Sequence, residues 1–415
     1  MPDTTAVVVG AGHSGLAVSR RLAERSIDHV VLERGQVAHS WRTQRWDSLR
    51  LLTPNWMTRL PGHRYDGPDP DGYLTAAETA RFIGDYAAAS GAPVRTGTAV
   101  TGVRAREHGF TVATSQGQWR ARAVVLAAGL TASPLPDLAA ALPPGVASLA
   151  ALDYRNPAQL PEGGVLVVGG AASGVQIAEE LHRSGRPVTL STGEHVRVPR
   201  RYRDRDVMWW LDAAGVLDQG LAEIDDVVRA RNLASFQLAG GERTVDFNAL
   251  QAQGVRLVGK LGAVRDGAAL FSGSLRNLAA MADLKLARLL DSFDDFAGGR
   301  GERPEPTAVP ERPLLRLDLA GGEIRTVLWA TGIKPDFSWL ELPVFDHRGR
   351  LRHHGGVADW PGLYVTGLPV LRRRRSTFID GAAADAAAIA AHLEAHLAGP
   401  SGSARPVRGR GAAVD

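Results

Sequence analysis

Residues 6–33 read AVVVGAGHSGLAVSRRLAERSIDHVVLE, and this stretch decides the fold. Ala6 to Val9 is a short run with β-branched residues, the signature of a buried parallel strand. It runs straight into Gly10-Ala11-Gly12-His13-Ser14-Gly15, and Leu16 to Leu22 then carries helical spacing. A second strand, His29 to Leu32, ends at Glu33. Each glycine has a separate task. Gly10 permits the tight turn, Gly12 lets backbone approach a pyrophosphate, and Gly15 allows helix and strand to pack closely. The unsatisfied N–H groups of the helix N-terminus, with Ser14 and His13 among them, then face the phosphates. Glu33 stands where a carboxylate accepts ribose hydroxyls, with Arg34 directly after it.

The same unit recurs at residues 165–191, VLVVGGAASGVQIAEELHRSGRPVTLS. Gly169, Ser173 and Gly174 hold the matching places, and Ser191 stands where the acid would be. Gly15 and Glu33 are 18 residues apart, and Gly174 and Ser191 are 17 apart. The fold class expected is therefore α/β, with two dinucleotide-binding (Rossmann-like) domains, the second inserted in the first. The strands Ala123 to Ala127 and Thr326 to Trp329 each end in a small-residue turn, at Gly129 and at Thr331-Gly332, and read as chain crossing back to a nucleotide domain. Proline-rich stretches at 134–144 and 303–313 suggest linkers. The domain expectation is 1–156 for the first part of the outer domain, 157–308 for the insert with its helical elaboration, and 309–398 for the return. The Gly/Ser/Pro/Arg-rich residues 399–415 read as a disordered tail.

Two departures mark the second unit. Ala171 replaces the second glycine, so a methyl crowds the pyrophosphate. Ser191 in place of an acid removes a charge that would repel a 2′-phosphate, and Arg197, Arg200 and Arg201 follow, so NADPH is favoured over NADH.

Composition narrows the function. The chain has 415 residues and no cysteine, which removes disulfide scaffolds, thiolate metal sites, Fe–S clusters and thiol catalysis. The net charge is only +4 and the arginines are scattered, so no basic face points to nucleic acid. No apolar run approaches the ~20 residues of a bilayer span, and no export signal opens the chain, so a soluble, cytoplasmic enzyme is expected. The 12 histidines show no ligand spacing, so no metal is expected. Arg372 to Arg375 reads as a solvated or phosphate-facing run. Trp46, Trp56, Met208 and Trp209 read either as packing or as the lining of an apolar substrate pocket.

The glycine turn with Glu33, the WDSLRLLTPN segment at 46–55, YRNP at 154–157, the GGAASG turn at 169–174 and WATGIKPD at 329–336 together resemble the flavin-containing monooxygenase family, the class B flavoprotein monooxygenases and their bacterial relatives. The resemblance spans about residues 1–398. It implies FAD in the outer domain and NADPH in the insert. NADPH reduces the flavin, O2 adds to give a C4a-(hydro)peroxide, and one oxygen atom passes to nitrogen, sulfur or carbon of a small organic substrate. It places Trp41, Arg50, Thr53, Gly129, Thr331, Gly332 and Gly367 among the cofactor contacts. Asn55 matches the family asparagine that faces the flavin C4a region, where an amide donates to a peroxide oxygen without protonating it.

The histidine that the family carries ahead of Tyr154 is Ala150 in this chain, which lowers the expectation of lactone or ester formation. Two other readings stay open. One is an oxidase, dehydrogenase or rearrangement catalyst with a vestigial NADPH site. The other is a non-catalytic flavoprotein. A homodimer is the default for a soluble oligomer, and a role in secondary metabolism follows from the breadth of the family alone.

Overall fold

The computed structural model describes residues 1–231 and 235–399, so all but the first residue of the expected tail lies outside the described residues. Two sheets organise the chain, the first mixed and the second parallel. In the first, Asp3–Val9 sits between His29–Leu32 and Gly117–Leu126, all parallel. Gly109–Thr114 and Val100–Arg106 continue it as an antiparallel meander, and Leu363–Val365 returns to lie parallel to Gly117–Leu126. The three central strands are apolar and buried toward their carboxyl ends, at residues 6–9, 30–32 and 123–126. His13–Ala23 and Ala382–Ala398 pack against each other on one side. Ala76–Ala89 is fixed at its start by a capping box, in which Thr75 and Glu78 bond each other's backbone N–H.

The second sheet has five parallel strands in the order Arg256–Val258, Val188–Ser191, Gly164–Val168, Ile324–Trp329, Ala147–Ala150. This widens the insert beyond the boundaries 157 and 308. Ile324–Trp329 buries Val327, Leu328 and Trp329 and is a central strand, while Ala147–Ala150 forms the edge. The two look-alike strands ending in Ala-Ala-Gly and Ala-Thr-Gly thus lie inside separate sheets. The proline-rich stretch near 306–308 lies against the insert instead of leaving it: Thr307 N–H donates to Asp283 Oδ2 at 2.8 Å, and Ala308 N–H to Asn248 Oδ1 at 2.8 Å. The passage between units is an antiparallel contact of Ala132 with Lys334.

Candidate functional site

The two glycine turns have the same backbone. Gly10 has φ +109 and Gly169 has φ +125, both in the region only glycine tolerates well. A methyl group on Gly10 would stand 2.5 Å from Ala127 O, and one on Gly169 would stand 2.2 Å from Ala330 O. Each turn therefore rests on the strand end beside it in its own sheet. Gly15 and Gly174 sit over Gly10 O and Gly169 O, where a Cβ would fall at 2.0 and 1.8 Å. The middle positions differ only in side chain. Gly12 has φ −82, ψ 178 and Ala171 has φ −88, ψ −173, so the alanine is unstrained and its methyl projects into the space left open at Gly12.

The first turn is built to receive an anion and a ribose. Helix His13–Ala23 begins at the turn with no side-chain cap, leaving its first N–H groups outward. Ser14 Oγ is buried without a partner, and Gly367 brings the returning chain to within 3.0 Å of it, measured from the Cβ position. Glu33 is buried and accepts Ala11 N–H at 2.8 Å and Gly35 N–H at 3.0 Å, one on each oxygen. A carboxylate has further lone pairs, so Glu33 is held in place with acceptor capacity left for hydroxyls. Gly129 has φ +72 and open space around it. The His13 imidazole has no partner on Nε2, and burial pushes its pKa down to about 4, so it is neutral at pH 7. These features fit a flavin dinucleotide.

Around this turn, Trp41 is half-buried in the short helix His39–Thr43, with the Arg45 guanidinium 4.9 Å from its ring centre. Burial, then repulsion from Arg155, lowers the Arg45 pKa to about 10. Arg34 is exposed and lies near Asp336. Arg50 donates to Tyr73 O at 2.8 Å, and Thr53 is half-buried in the following loop.

The second turn carries a roof. Ser235 to Leu238 lies along it: Gln237 Nε2 donates to Gly170 O at 2.7 Å, Ala172 N–H reaches Ser235 Oγ at 3.4 Å, and Gln176 Nε2 donates to Leu238 O at 2.8 Å. Gln237 Oε1 is buried and unpartnered, a polar atom left for a ligand. Ser173 is half-buried at the helix start, and Thr331 and Gly332 are exposed just past the strand end beside Gly169. The turn fits a second nucleotide, with Gln237 as a contact that no sequence signal marks. Its partner Gly170 is 67 residues away.

Three expected phosphate contacts are not free. Ser191 Oγ donates to Gly259 O at 2.9 Å and accepts Leu261 N–H at 3.0 Å. Arg197 is buried between Asp246 and Asp283, at 2.9 and 2.8 Å. Arg200 is fully buried, pairs with Asp206 through Nε at 2.9 Å and donates to Leu52 O at 2.9 Å. All three are engaged by protein partners. A buried guanidinium without a carboxylate would be costly, and that cost decides the pairing.

Asn55 is oriented by two hydrogen bonds. Its Nδ2 donates to Asp69 O at 2.9 Å, and its Oδ1 accepts Leu74 N–H at 2.9 Å. The carboxamide organises the loop 69–74 across these two hydrogen bonds, and among the described residues one N–H of the amide stays without a protein partner. The Arg372–Arg375 run is neither solvated nor phosphate-facing as a whole. Arg375 is buried against Asp380 at 2.7 Å, Asp218 at 2.9 Å and Asp212, and it clamps the returning outer domain to the helix Val207–Ala213 and turn Val216–Asp218 of the insert.

The units meet over an apolar cluster. Leu52, Trp56, Met57 and Phe378 come from the outer domain, while Met208, Trp209, Trp210 and Leu238 come from the insert. Trp56, Met208 and Trp209 are brought together as expected, but Met208 is core, 1% exposed. Trp46 packs in a different cluster and lines a separate cleft of about 280 Å3 with Arg50, Gln176, Glu179 and Arg243. The expected single pocket is therefore divided. Beside the cluster, Tyr73 donates to Asp206 at 2.6 Å, and burial, followed by that carboxylate, pushes the phenol well above its ordinary pKa.

With this geometry in view, comparison with known proteins is decisive. A family model described as pyridine nucleotide-disulphide oxidoreductase matches residues 7–214, half of the chain. The chain belongs to that family. An oxidoreductase described as CzcO-like, from Geobacillus kaustophilus, is 31% identical over 384 residues, 92% of this chain and 95% of the relative. Indole-3-pyruvate monooxygenase YUCCA1 of Oryza sativa is 33% identical over 213 residues, 46% of this chain and 48% of that protein. Among solved structures, the flavin-containing monooxygenase from Stenotrophomonas maltophilia superimposes with a TM-score of 0.67 at 19% identity, over 96% of this chain and 100% of that one. The family and the near full-length relative make this chain an oxidoreductase, and the superposition fits the two-domain fold. Among the described residues no helix is long and apolar enough to cross a membrane, and no acidic or histidine cluster could hold a metal.

Proposed function

We propose that the protein is an FAD-dependent, NADPH-using monooxygenase that transfers one oxygen atom from O2 to a small organic molecule at nitrogen, sulfur or carbon. The observation that carries this reading is the pair of matched glycine turns, each with a buried orphan oxygen, Ser14 Oγ and Gln237 Oε1, in a chain without cysteine. The family name suggests disulfide chemistry, but a dithiol relay needs thiols that this chain does not have. The partial match to a plant monooxygenase and the monooxygenase superposition support oxygen transfer instead.

Gly10, Gly12, Ser14, Gly15, Glu33, Gly129 and Gly367 would hold FAD; Gly169, Ser173, Gly174 and Gln237 would hold the nicotinamide nucleotide. When bound, the flavin supplies the electron transfer and oxygen activation. The chain's own residues do the rest. The Leu52, Trp56, Phe378 and Trp209 cluster excludes water between the units. Arg200, through Leu52 O, and Arg375, through Asp212 and Asp218, tie the two units together, and neutral His13 adds no charge beside the phosphates.

The test is to supply FAD-loaded protein with NADPH and 18O2 over a panel of amines, sulfides and 2-oxo acids. A product carrying one 18O, with a matching drop in peroxide release, is expected for one class. A second reading, an oxidase with an inert nicotinamide site, draws on Ala171 and the Ser235–Leu238 roof. Substrate oxidation with peroxide release and no NADPH consumption would favour it.

A further inference from the structure

We infer that Lys260 reads the 2′-phosphate of NADPH, a role the sequence pattern assigned to Ser191, Arg197, Arg200 and Arg201; the inference rests on the nicotinamide-nucleotide reading of the second turn. In a doubly wound sheet the nucleotide's ribose lies beyond the carboxyl end of the second strand, and a 2′-phosphate projects from it over the adjacent loops. Here the second strand is Val188–Ser191, and its outer neighbour is Arg256–Val258, paired in register from Thr189↔Arg256 to Ser191↔Val258. Lys260 follows that neighbour by two residues. Ser191 itself bonds Gly259 O and Leu261 N, so the backbone on both sides of Lys260 is fastened to the end of the second strand. The side chain runs beside Gly193, with its Cδ and Cγ 3.7 and 3.8 Å from the Cβ position there. Nothing bulkier than that glycine separates the lysine stem from the loop after Ser191.

Three cations around this loop, Arg197, Lys285 and Arg229, are held by carboxylates, while Arg201 is turned into its own hairpin and donates to Asp204 O at 2.6 Å. Arg197 lies between Asp246 and Asp283. Lys285 holds Glu194 at 2.6 Å, and Arg229 approaches the same carboxylate at 3.7 Å. Lys260 is exposed, and among the described residues its ammonium has no ion pair or hydrogen bond. A lysine is a compact, mobile charge suited to a terminal phosphate, and its pairing with a dianion would be charge-assisted.

The test uses FAD-loaded full-length protein, with 2′,5′-ADP and 5′-AMP as calorimetric probes. The wild-type chain is expected to bind 2′,5′-ADP about tenfold more tightly than 5′-AMP. Lys260→Ala should bring the two affinities to within about twofold, with 5′-AMP unaffected, and Lys260→Arg should keep most of the preference. Lys285→Ala, whose charge is held by Glu194, should leave the preference as in wild type. In anaerobic flavin reduction, Lys260→Ala should raise the KM for NADPH and leave that for NADH alone. A Lys260→Ala protein that keeps the wild-type preference, or a wild type that binds both probes equally, overturns the inference while the nucleotide reading stands. A wild type that binds neither probe overturns the nucleotide reading itself, and the inference with it.

Discussion

The two glycine turns share a backbone and differ in what surrounds them. At the first, Gly12 is open, Ser14 Oγ is free, and a buried carboxylate is held ready by two backbone N–H groups. At the second, a methyl replaces the open position, a roof of four residues lies along the turn, and the residue at the strand end is fastened to the neighbouring loop. The difference matches two modes of use. A prosthetic group is bound once and benefits from a rigid, complementary cradle. A co-substrate must arrive and leave in each cycle, and a looser cradle shortens its stay.

The largest effect should come from the clamp that ties the two units together. Arg375→Ala leaves buried Asp380 with only the longer Arg59 contact and Asp212 without its guanidinium, and should cost about 3–5 kcal/mol, read as a lower denaturant midpoint. The turns can then be separated. Gly15→Ala and Gly174→Ala each force a Cβ onto a backbone oxygen and should destabilise the chain by about 1–3 kcal/mol. Gly15→Ala should also lower the flavin content on purification. Gly174→Ala should keep flavin and lose reduction by NADPH, and equal loss of flavin in both variants would break the assignment of the turns.

Acid should affect the first unit most. Burial lowers the pKa values of His13 and His353 to about 4, against an ordinary 6.5. The unfolded chain takes up these protons first, so the stability is full above pH 6.5 and falls as pH drops toward 4. Thermal melts of flavin-free protein across that window should show the loss, and His13→Leu should reduce the slope. The mildest test is a swap. Gly12→Ala should weaken FAD binding about tenfold without unfolding the chain, since its methyl meets no protein atom within 4 Å. Ala171→Gly should tighten NADPH by a smaller factor, measured by titration of flavin reduction.

Both turns were legible in the sequence because their logic is local. Strand, glycines, helix and second strand fall within 28 residues of 6–33, and backbone sterics choose the glycines. The commitments of the charged and amide side chains were not legible, because their partners are remote. Arg197 finds Asp246 49 residues on, and Arg200 finds Leu52 O across 148 residues. A sequence shows that an arginine follows a strand, but not whether a buried carboxylate takes it first. The bonds that orient Asn55 were hidden for the same reason, since backbone at Asp69 and Leu74 holds its amide. The domain boundaries moved outward because Ala147–Ala150 and Ile324–Trp329 are ordinary apolar strands, and only pairing reveals which sheet they join.

The account stands on two nucleotides serving one flavoprotein, and anaerobic mixing of FAD-loaded protein with NADPH tests this most directly. Loss of the oxidised flavin band, faster with NADPH than with NADH, is the result expected. A flavin that stays oxidised with both nucleotides would contradict the account and leave the second turn without its co-substrate.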